Sequence, residues 1–269
     1  MTRIASLPMY DPPGLAGATD ALWAAIAGAC RAEGLADVPA ALDRARPHRE
    51  VWHHPGLFLS QTCGYPLVHE LSGRVRVVAT PRYAVEACIG ADYTSHCVVP
   101  RDAVPACLDD LRGAVAASNE IDSHSGMNAF RALIAPLAGG AAFFGRIVWT
   151  GSHLASLERV ARRQVDVAVV DCITFALLER LRPDLTSAVR IIARSAPCPG
   201  LPLITAATTS DGDLARMRRA LDRVAGDPAL APVRAAVLLD GFEVLPDRAY
   251  QRVLDLEDSA LRLGYPALA

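Results

Sequence analysis

The chain has 269 residues, 52% of them hydrophobic, enough for one large domain or two small ones with a sizeable core. Its net charge of −2 gives no general attraction to nucleic acid, and no apolar run approaches the roughly 18 residues of a membrane span. All 27 basic residues are arginine, which excludes a Schiff-base lysine and a P-loop phosphate lysine, because both need a primary amine.

Seven cysteines without a Cys-x-x-Cys spacing argue against a disulfide framework or a zinc site, and no metal is expected. Cys88 and Cys97 are near enough in sequence to close a small loop. Met1-Thr2-Arg3 leads straight into an apolar stretch too short for a signal peptide, so with Met1 as the true start the expected compartment is the cytoplasm.

Ile4 to Tyr10 reads as a first strand, ending in the turn Asp11-Pro12-Pro13-Gly14. Thr19 is placed to cap a helix with Leu22, Trp23, Ile26, Ala27 and Cys30 inward, ended by Gly34. Arg49 to His53 reads as a second strand. Leu57 to Leu71 reads as a helix interrupted at Gly64-Tyr65-Pro66, since proline disfavours helical backbone in its predecessor. Val75 to Ala79 and Cys97 to Pro100 read as strands, and Ala103 to Leu111 as a short helix. Ala114 to Ala117 suits a buried strand. After Asn119 to Asn128, the spacing of Met127, Phe130, Leu133, Ile134 and Leu137 predicts a helix that stops at Gly139-Gly140.

Arg146 to Thr150 reads as a strand, followed by a helix with Leu154, Leu157, Val160 and Ala161 on one face. Val165 to Val170 is a further strand, and a helix runs from Cys172 to Leu181, stopped by Pro183. Val189 to Ala193 and Leu203 to Thr208 read as strands. Asp211 is placed to cap a helix with Leu214, Met217, Leu221 and Val224 inward and Arg216, Arg218, Arg219 and Arg223 largely on a solvated face. Helices near Pro228 to Leu238 and Asp247 to Leu263 complete the chain. This alternation predicts an α/β architecture with largely parallel sheets.

In such sheets ligands bind beyond the carboxyl ends of strands. Polar groups gather at three such ends: Ser123-His124-Ser125, Ser152-His153 and Asp171-Cys172. Ser123 stands at an N-cap, and Gly126 permits close approach. First-turn amides, two hydroxyls and an imidazole make a donor cluster suited to an anionic ligand group. The bland alternatives stay open: His153 and Asp171 also suit plain helix caps, Tyr93 and Tyr65 suit packing, and Cys63 and Cys172 suit small buried residues.

Four motifs carry a resemblance. They are Asn119 to Gly126; Thr150-Gly151-Ser152-His153 with Ser156 and the strand from Val165; Ser195 to Pro202; and Tyr93 within Ala91-Asp92-Tyr93-Thr94-Ser95. In order and spacing they resemble the phosphate/phosphonate-binding protein family of bacterial ABC transporters, of the type 2 periplasmic binding fold. The resemblance implies two α/β lobes joined by two crossover segments, near residues 94–98 and 193–203, with the ligand in a cleft. Lobe one would be 1–95 plus 201–269, and lobe two 96–200.

The resemblance also implies that Ser123, His124, Ser125, Gly126 and His153 hold the anion and that Asp171 receives an amine. Asn128, Tyr93, Tyr65, Gln61 and Thr62 complete the expected ligand set. His124 departs from the family, which has a small hydroxylated residue there. Gln61 to Pro66 reads like a subfamily signature on the lobe-one wall. The implied protein is a monomeric, periplasmic solute receptor without cofactor or enzymatic activity, partnered by a transporter's membrane subunits. The alternative is a cytoplasmic enzyme on the same fold, of menaquinone-pathway or thiamine-pyrimidine type, with His153 or Asp171 as acid/base; neither paired carboxylates nor an activated nucleophile accompany them.

Overall fold

The computed structural model describes residues 2–269, the side chain of Asp247 excepted. Among them the chain forms two compact units, each discontinuous: residues up to Ala84 with Gly200–Asp247, and Val85–Pro199 with Arg248–Ala269. In chain order the elements are β1 (Ile4–Ser6), α1 (Ala16–Ala32), α2 (His48–Trp52), β2 (Leu57–Gln61), α3 (Gly64–His69), β3 (Val75–Tyr83), β4 (Asp92–Tyr93), β5 (Ser95–Pro100), β6 (Val115–Ser118), α4 (Ala129–Ala138), β7 (Arg146–Trp149), α5 (His153–Ala161), β8 (Val167–Asp171), α6 (Cys172–Leu181), α7 (Pro183–Thr186), β9 (Val189–Arg194), β10 (Cys198–Pro199), β11 (Leu203–Ala206), α8 (Asp211–Gly226), α9 (Ala231–Ala236), β12 (Leu239–Glu243) and α10 (Gln251–Arg262).

The first unit is built on a sheet of order β1-β2-β11-β3-β12. β1 and β2 are parallel, while β11 runs against both β2 and β3, and β12 against β3. The expected helix from Leu57 is in fact β2, buried at every residue, as a strand covered on both faces must be. Pro66 then falls in the first turn of α3, where a missing N–H breaks no helical bond.

Arg49 to His53, expected as a strand, falls in α2 and the residue that ends it; α2 buries Val51 and Trp52, and the Trp52 indole donates to the Gln61 carbonyl at 3.0 Å. α1 buries the expected face but starts before Thr19, whose hydroxyl donates to Asp11 Oδ1 at 2.7 Å. α8 is capped by Ser210, not Asp211: Ser210 Oγ accepts from the Asp213 amide at 3.0 Å. Its arginines face solvent as expected, Arg218 only in part. Arg218 donates to the Val78 and Val77 carbonyls, and Arg219 and Arg223 both pair with Glu33, at 2.8 and 2.6 Å. β12 is a strand the sequence did not announce; Leu238, at φ 59°, turns the chain into it.

The second unit is built on a sheet of order β7-β6-β8-β5-β9. β6 is parallel to β7 and β8, and β5 is antiparallel to β8 and β9. Both sheets are therefore mixed, where largely parallel sheets were expected. The strands that reverse direction, β5 and β11, each follow a passage of the chain from one unit to the other. Val98, Ala117, Leu157, Val160, Ala168, Val170 and Leu178 form the core between this sheet and its helices. The helix expected from Ala103 to Leu111 reduces to one 3₁₀ turn at Asp109–Leu111. Asp110 accepts from the Ala106 and Cys107 amides, and this side-chain bonding competes with a helix.

The compact units differ from the expected lobes at both ends of the second one. Residues from Val85 belong to it, and so do residues 248–269, which were expected in lobe one. Asn128 Nδ2 donates to the Val253 carbonyl at 2.9 Å, and Arg131 donates to the Pro266 carbonyl at 2.8 Å and pairs with Glu257 at 3.2 Å. The Phe143 and Phe144 amides both donate to the Ala269 carbonyl. An amphipathic helix announces that it packs, not which partner it packs on.

Candidate functional site

Three strand-to-helix junctions of the second unit place polar side chains together. At the end of β6, Ser123 has extended backbone (φ −79°, ψ 131°) and its Oγ accepts from the Gly126 amide at 3.0 Å. The Met127 and Asn128 amides both bond to the Ser123 carbonyl, and this widens the entry to α4 into a π turn over His124–Asn128. Such turns are frequent at functional sites. A β-carbon built on Gly126 would lie 1.8 Å from Asn119 Oδ1 and 3.2 Å from His153 Cε1, so only glycine fits there without displacement.

At the end of β7, Ser152 caps α5 by accepting from the Ala155 amide at 3.1 Å, which sets His153 at the first helical position. His153 Nε2 lies 2.8 Å from Ser125 Oγ, and Ser125 Oγ lies 3.5 Å from Ser123 Oγ. At the end of β8, Asp171 caps α6: Oδ1 accepts from the Ile173 and Thr174 amides at 2.9 and 2.8 Å, and Oδ2 from the Thr174 hydroxyl at 2.6 Å. Asp171 Oδ2 is also 3.5 Å from His153 Nε2. Burial lowers the His153 pKa below its ordinary value, against the opposing pull of Asp171 and Glu120. The imidazole is therefore neutral at neutral pH. The cluster thus offers hydroxyls, a neutral ring and helix-terminal amides, with one carboxylate behind them.

Ser123, Ser125, Gly126, His153 and Asp171 are brought together as the sequence suggested. His124 and Asn128 are not with them. Asn128 Nδ2 lies 3.2 Å from His124 Nδ1 and donates to the Val253 carbonyl, and Asn128 Oδ1 accepts from Arg131 at 2.6 Å. Successive residues of a turn point in different directions, so the side chain between the two serines leaves the cluster and joins the network under α10. Tyr93 is buried with its ring 6.2 Å from that of His124.

Gln61, Thr62 and Tyr65 belong to the first unit. Gln61 Nε2 donates to the Leu201 carbonyl at 3.0 Å, and its residue lines a cavity of about 40 Å³ with Tyr10, Tyr83 and Phe242. Thr62 is fully buried, and the Tyr65 ring stacks on His69 at 4.2 Å.

Sequence reasoning missed Ser118 and Thr174. Ser118 Oγ and Asn119 Oδ1 are buried without a hydrogen-bond partner at the end of β6, beside the serine turn. Buried polar atoms are normally paired, which sets these two apart from the capped groups around them. The available signal for Thr174 was its position three residues after a capping Asp. Among the described residues no group of three His, Cys, Asp or Glu side chains could hold a metal ion, and no helix is long and apolar enough to cross a membrane.

The fold is shared with solved binding proteins. The chain is similar to XAC2383 from Xanthomonas citri, solved bound to chloride ion, at 19% identity and TM-score 0.72, over 97% of this chain and 98% of that one. It is similar to a binding protein component of an ABC phosphonate transporter from Pseudomonas aeruginosa, at 16% identity and TM-score 0.78, over 97% and 86%. It is also similar to PhnD1 from Prochlorococcus marinus in complex with methylphosphonate, at 11% identity and TM-score 0.77, over 97% and 98%. No curated protein matches the sequence. The family model of the periplasmic substrate-binding protein of phosphonate ABC transporters matches residues 57–250. That match spans well over half of the chain, and the chain belongs to this family of periplasmic phosphonate-binding proteins.

Proposed function

We propose that the second unit's serine cluster captures an oxyanion of the phosphonate or phosphate class, and that the chain delivers this solute to the membrane subunits of an ABC importer. One observation carries the reading: Ser123, Ser125 and His153 converge at the carboxyl ends of parallel strands, beside the buried Ser118 hydroxyl, which lacks a partner. The Ser123 oxygen already accepts an amide, so its O–H is left to donate outward. Ser125 and His153 share one hydrogen bond and so add one further donor between them, and the α4 entry adds helix-terminal amides. Neutral donors of this kind bind an anion by pre-aligned dipoles rather than by a counter-charge.

The second reading is an enzyme, because Ser125, His153 and Asp171 look at first like a hydrolytic triad. A triad needs the serine and the carboxylate on opposite ring nitrogens. Here both Ser125 Oγ and Asp171 Oδ2 approach Nε2, so the carboxylate does not orient a base toward the hydroxyl. This supports binding over turnover.

Titration calorimetry of the full chain with methylphosphonate and with inorganic phosphate tests the proposal. Ser125→Ala and His153→Ala should each weaken binding by about 1–3 kcal/mol. Unchanged affinity in both variants would overturn the site assignment. Mass spectrometry of the recovered solute separates the two readings: intact solute supports a receptor, altered solute an enzyme.

A further inference from the structure

Cys88 and Cys172 are 84 residues apart in sequence, and their sulfurs lie 3.6 Å apart. The neighbour of Cys88 is thus Cys172, not Cys97, which is fully buried in β5. Cys88 is half-buried in the loop between Val85 and Ala91, where Glu86 and Ile89 face solvent. Cys172 is the first residue of α6, immediately after Asp171, and is fully buried. The same loop is tied down beside it: Thr94 Oγ1 donates to the Ala87 carbonyl at 3.2 Å, and the Cys172 amide donates to the Thr94 carbonyl at 3.0 Å.

We propose that Cys88 and Cys172 form a reversible disulfide that staples the 85–91 loop to the first turn of α6. The sulfurs need to close from 3.6 Å to the roughly 2 Å of an S–S bond. The oxidant is a small-molecule disulfide. The accessible Cys88 thiol displaces one of its sulfurs, forming a mixed disulfide and releasing one small thiol. The Cys172 sulfur then attacks Cys88 Sγ and expels the second small thiol. Two S–H bonds are lost, one S–S bond forms, and both hydrogens leave on the released thiols.

Access sets the order of the two steps: Cys88 is half-buried, whereas Cys172 is fully buried. The sulfur–sulfur contact holds the Cys172 thiol below its ordinary pKa and, with burial, pushes the Cys88 thiol above its own, so Cys172 is the thiol of the pair that ionises first. Burial pushes Cys30 and Cys97 up to about 12 and leaves them inert. The family's periplasmic setting is an oxidising one, in which disulfides form and persist. If the proposed anion site holds, the staple also fixes the turn whose amides carry Asp171.

The test uses the full chain with Cys107→Ser, which removes the exposed thiol that would otherwise join two molecules. The protein is equilibrated with oxidised glutathione, digested without reduction and mapped by mass spectrometry. The expected product is a peptide pair linking Cys88 to Cys172, absent after reduction and absent in Cys88→Ser. The oxidised chain should melt at a higher temperature than the reduced chain, because the link restrains a long stretch of unfolded chain. Both thiols remaining open to alkylation, a glutathione adduct persisting on Cys88, or a link that lowers the melting temperature would each overturn the proposal. None of these readouts depends on an anion binding at the serine cluster.

Discussion

Acidification should destabilise this protein well before its carboxylates protonate. His124 is almost completely buried, and burial alone pushes its pKa down to about 4. His96, edge-on to Phe175, is also lowered to about 4, first by burial and then by Arg194, with Asp171 opposing. Both values lie below the ordinary 6.5 that applies in the unfolded chain. The unfolded state therefore binds protons first, so the stability these residues contribute is intact above about pH 6.5 and is lost as pH falls toward 4. For each histidine the full loss is about 3 kcal/mol, of which about 2 kcal/mol is gone by about pH 5.

Two such residues together remove about 4 kcal/mol between about pH 7 and pH 5, a large share of a typical folding stability of about 5–15 kcal/mol. Urea unfolding at a series of pH values measures this directly. His96→Gln and His124→Gln should each remove about 2 kcal/mol of the pH dependence between about pH 7 and pH 5, since a neutral amide does not titrate. A stability that stays level from pH 7 to pH 5, or a slope unchanged in both variants, would refute the reasoning.

Other substitutions probe the site and its supports. Gly126→Ala places a methyl group 1.8 Å from Asn119 Oδ1 and should cost about 1–3 kcal/mol of stability, together with a clear loss of methylphosphonate binding by calorimetry; wild-type affinity would show that the turn yields freely. Arg131→Ala strips partners from Asn128, Glu257 and the Pro266 carbonyl inside the protein, and should cost about 3–5 kcal/mol in urea unfolding, with faster hydrogen exchange in α10. Asp171→Ala removes the α6 cap and should cost about 1–2 kcal/mol; a smaller loss would mean that water replaces the carboxylate.

The serine turn was legible because its parts are local: a capping serine, a glycine three residues later and an apolar helix face are all read along one stretch. His153 and Asp171 were legible for the same reason, each standing where a strand gives way to a helix. The π turn was not legible, and it decides that His124 and Asn128 support α10 instead of facing the cluster. Leu57-Phe58-Leu59 could not be assigned by periodicity, since a short apolar run fits a buried strand and a buried helix equally. Arg49 to Trp52 is too short to show a period at all. The place of residues 248–269 and the neighbour of Cys88 depend on contacts across more than eighty positions, and no local pattern carries that information.

The discontinuity of the two units imposes a timetable on folding. Every part of the first unit exists once residue 247 has been made, although its halves are separated by more than a hundred residues. The central stretch of the second unit is made earlier, yet it must wait for Val253 to satisfy Asn128 and for Ala269 to receive the Phe143 and Phe144 amides. Loop-closure entropy grows only slowly with separation, so this interleaving takes little from final stability. Its effect is on order: the unit that carries the proposed anion site is the last to be finished, and until then the groove that α10 will fill lies open to water and to other chains.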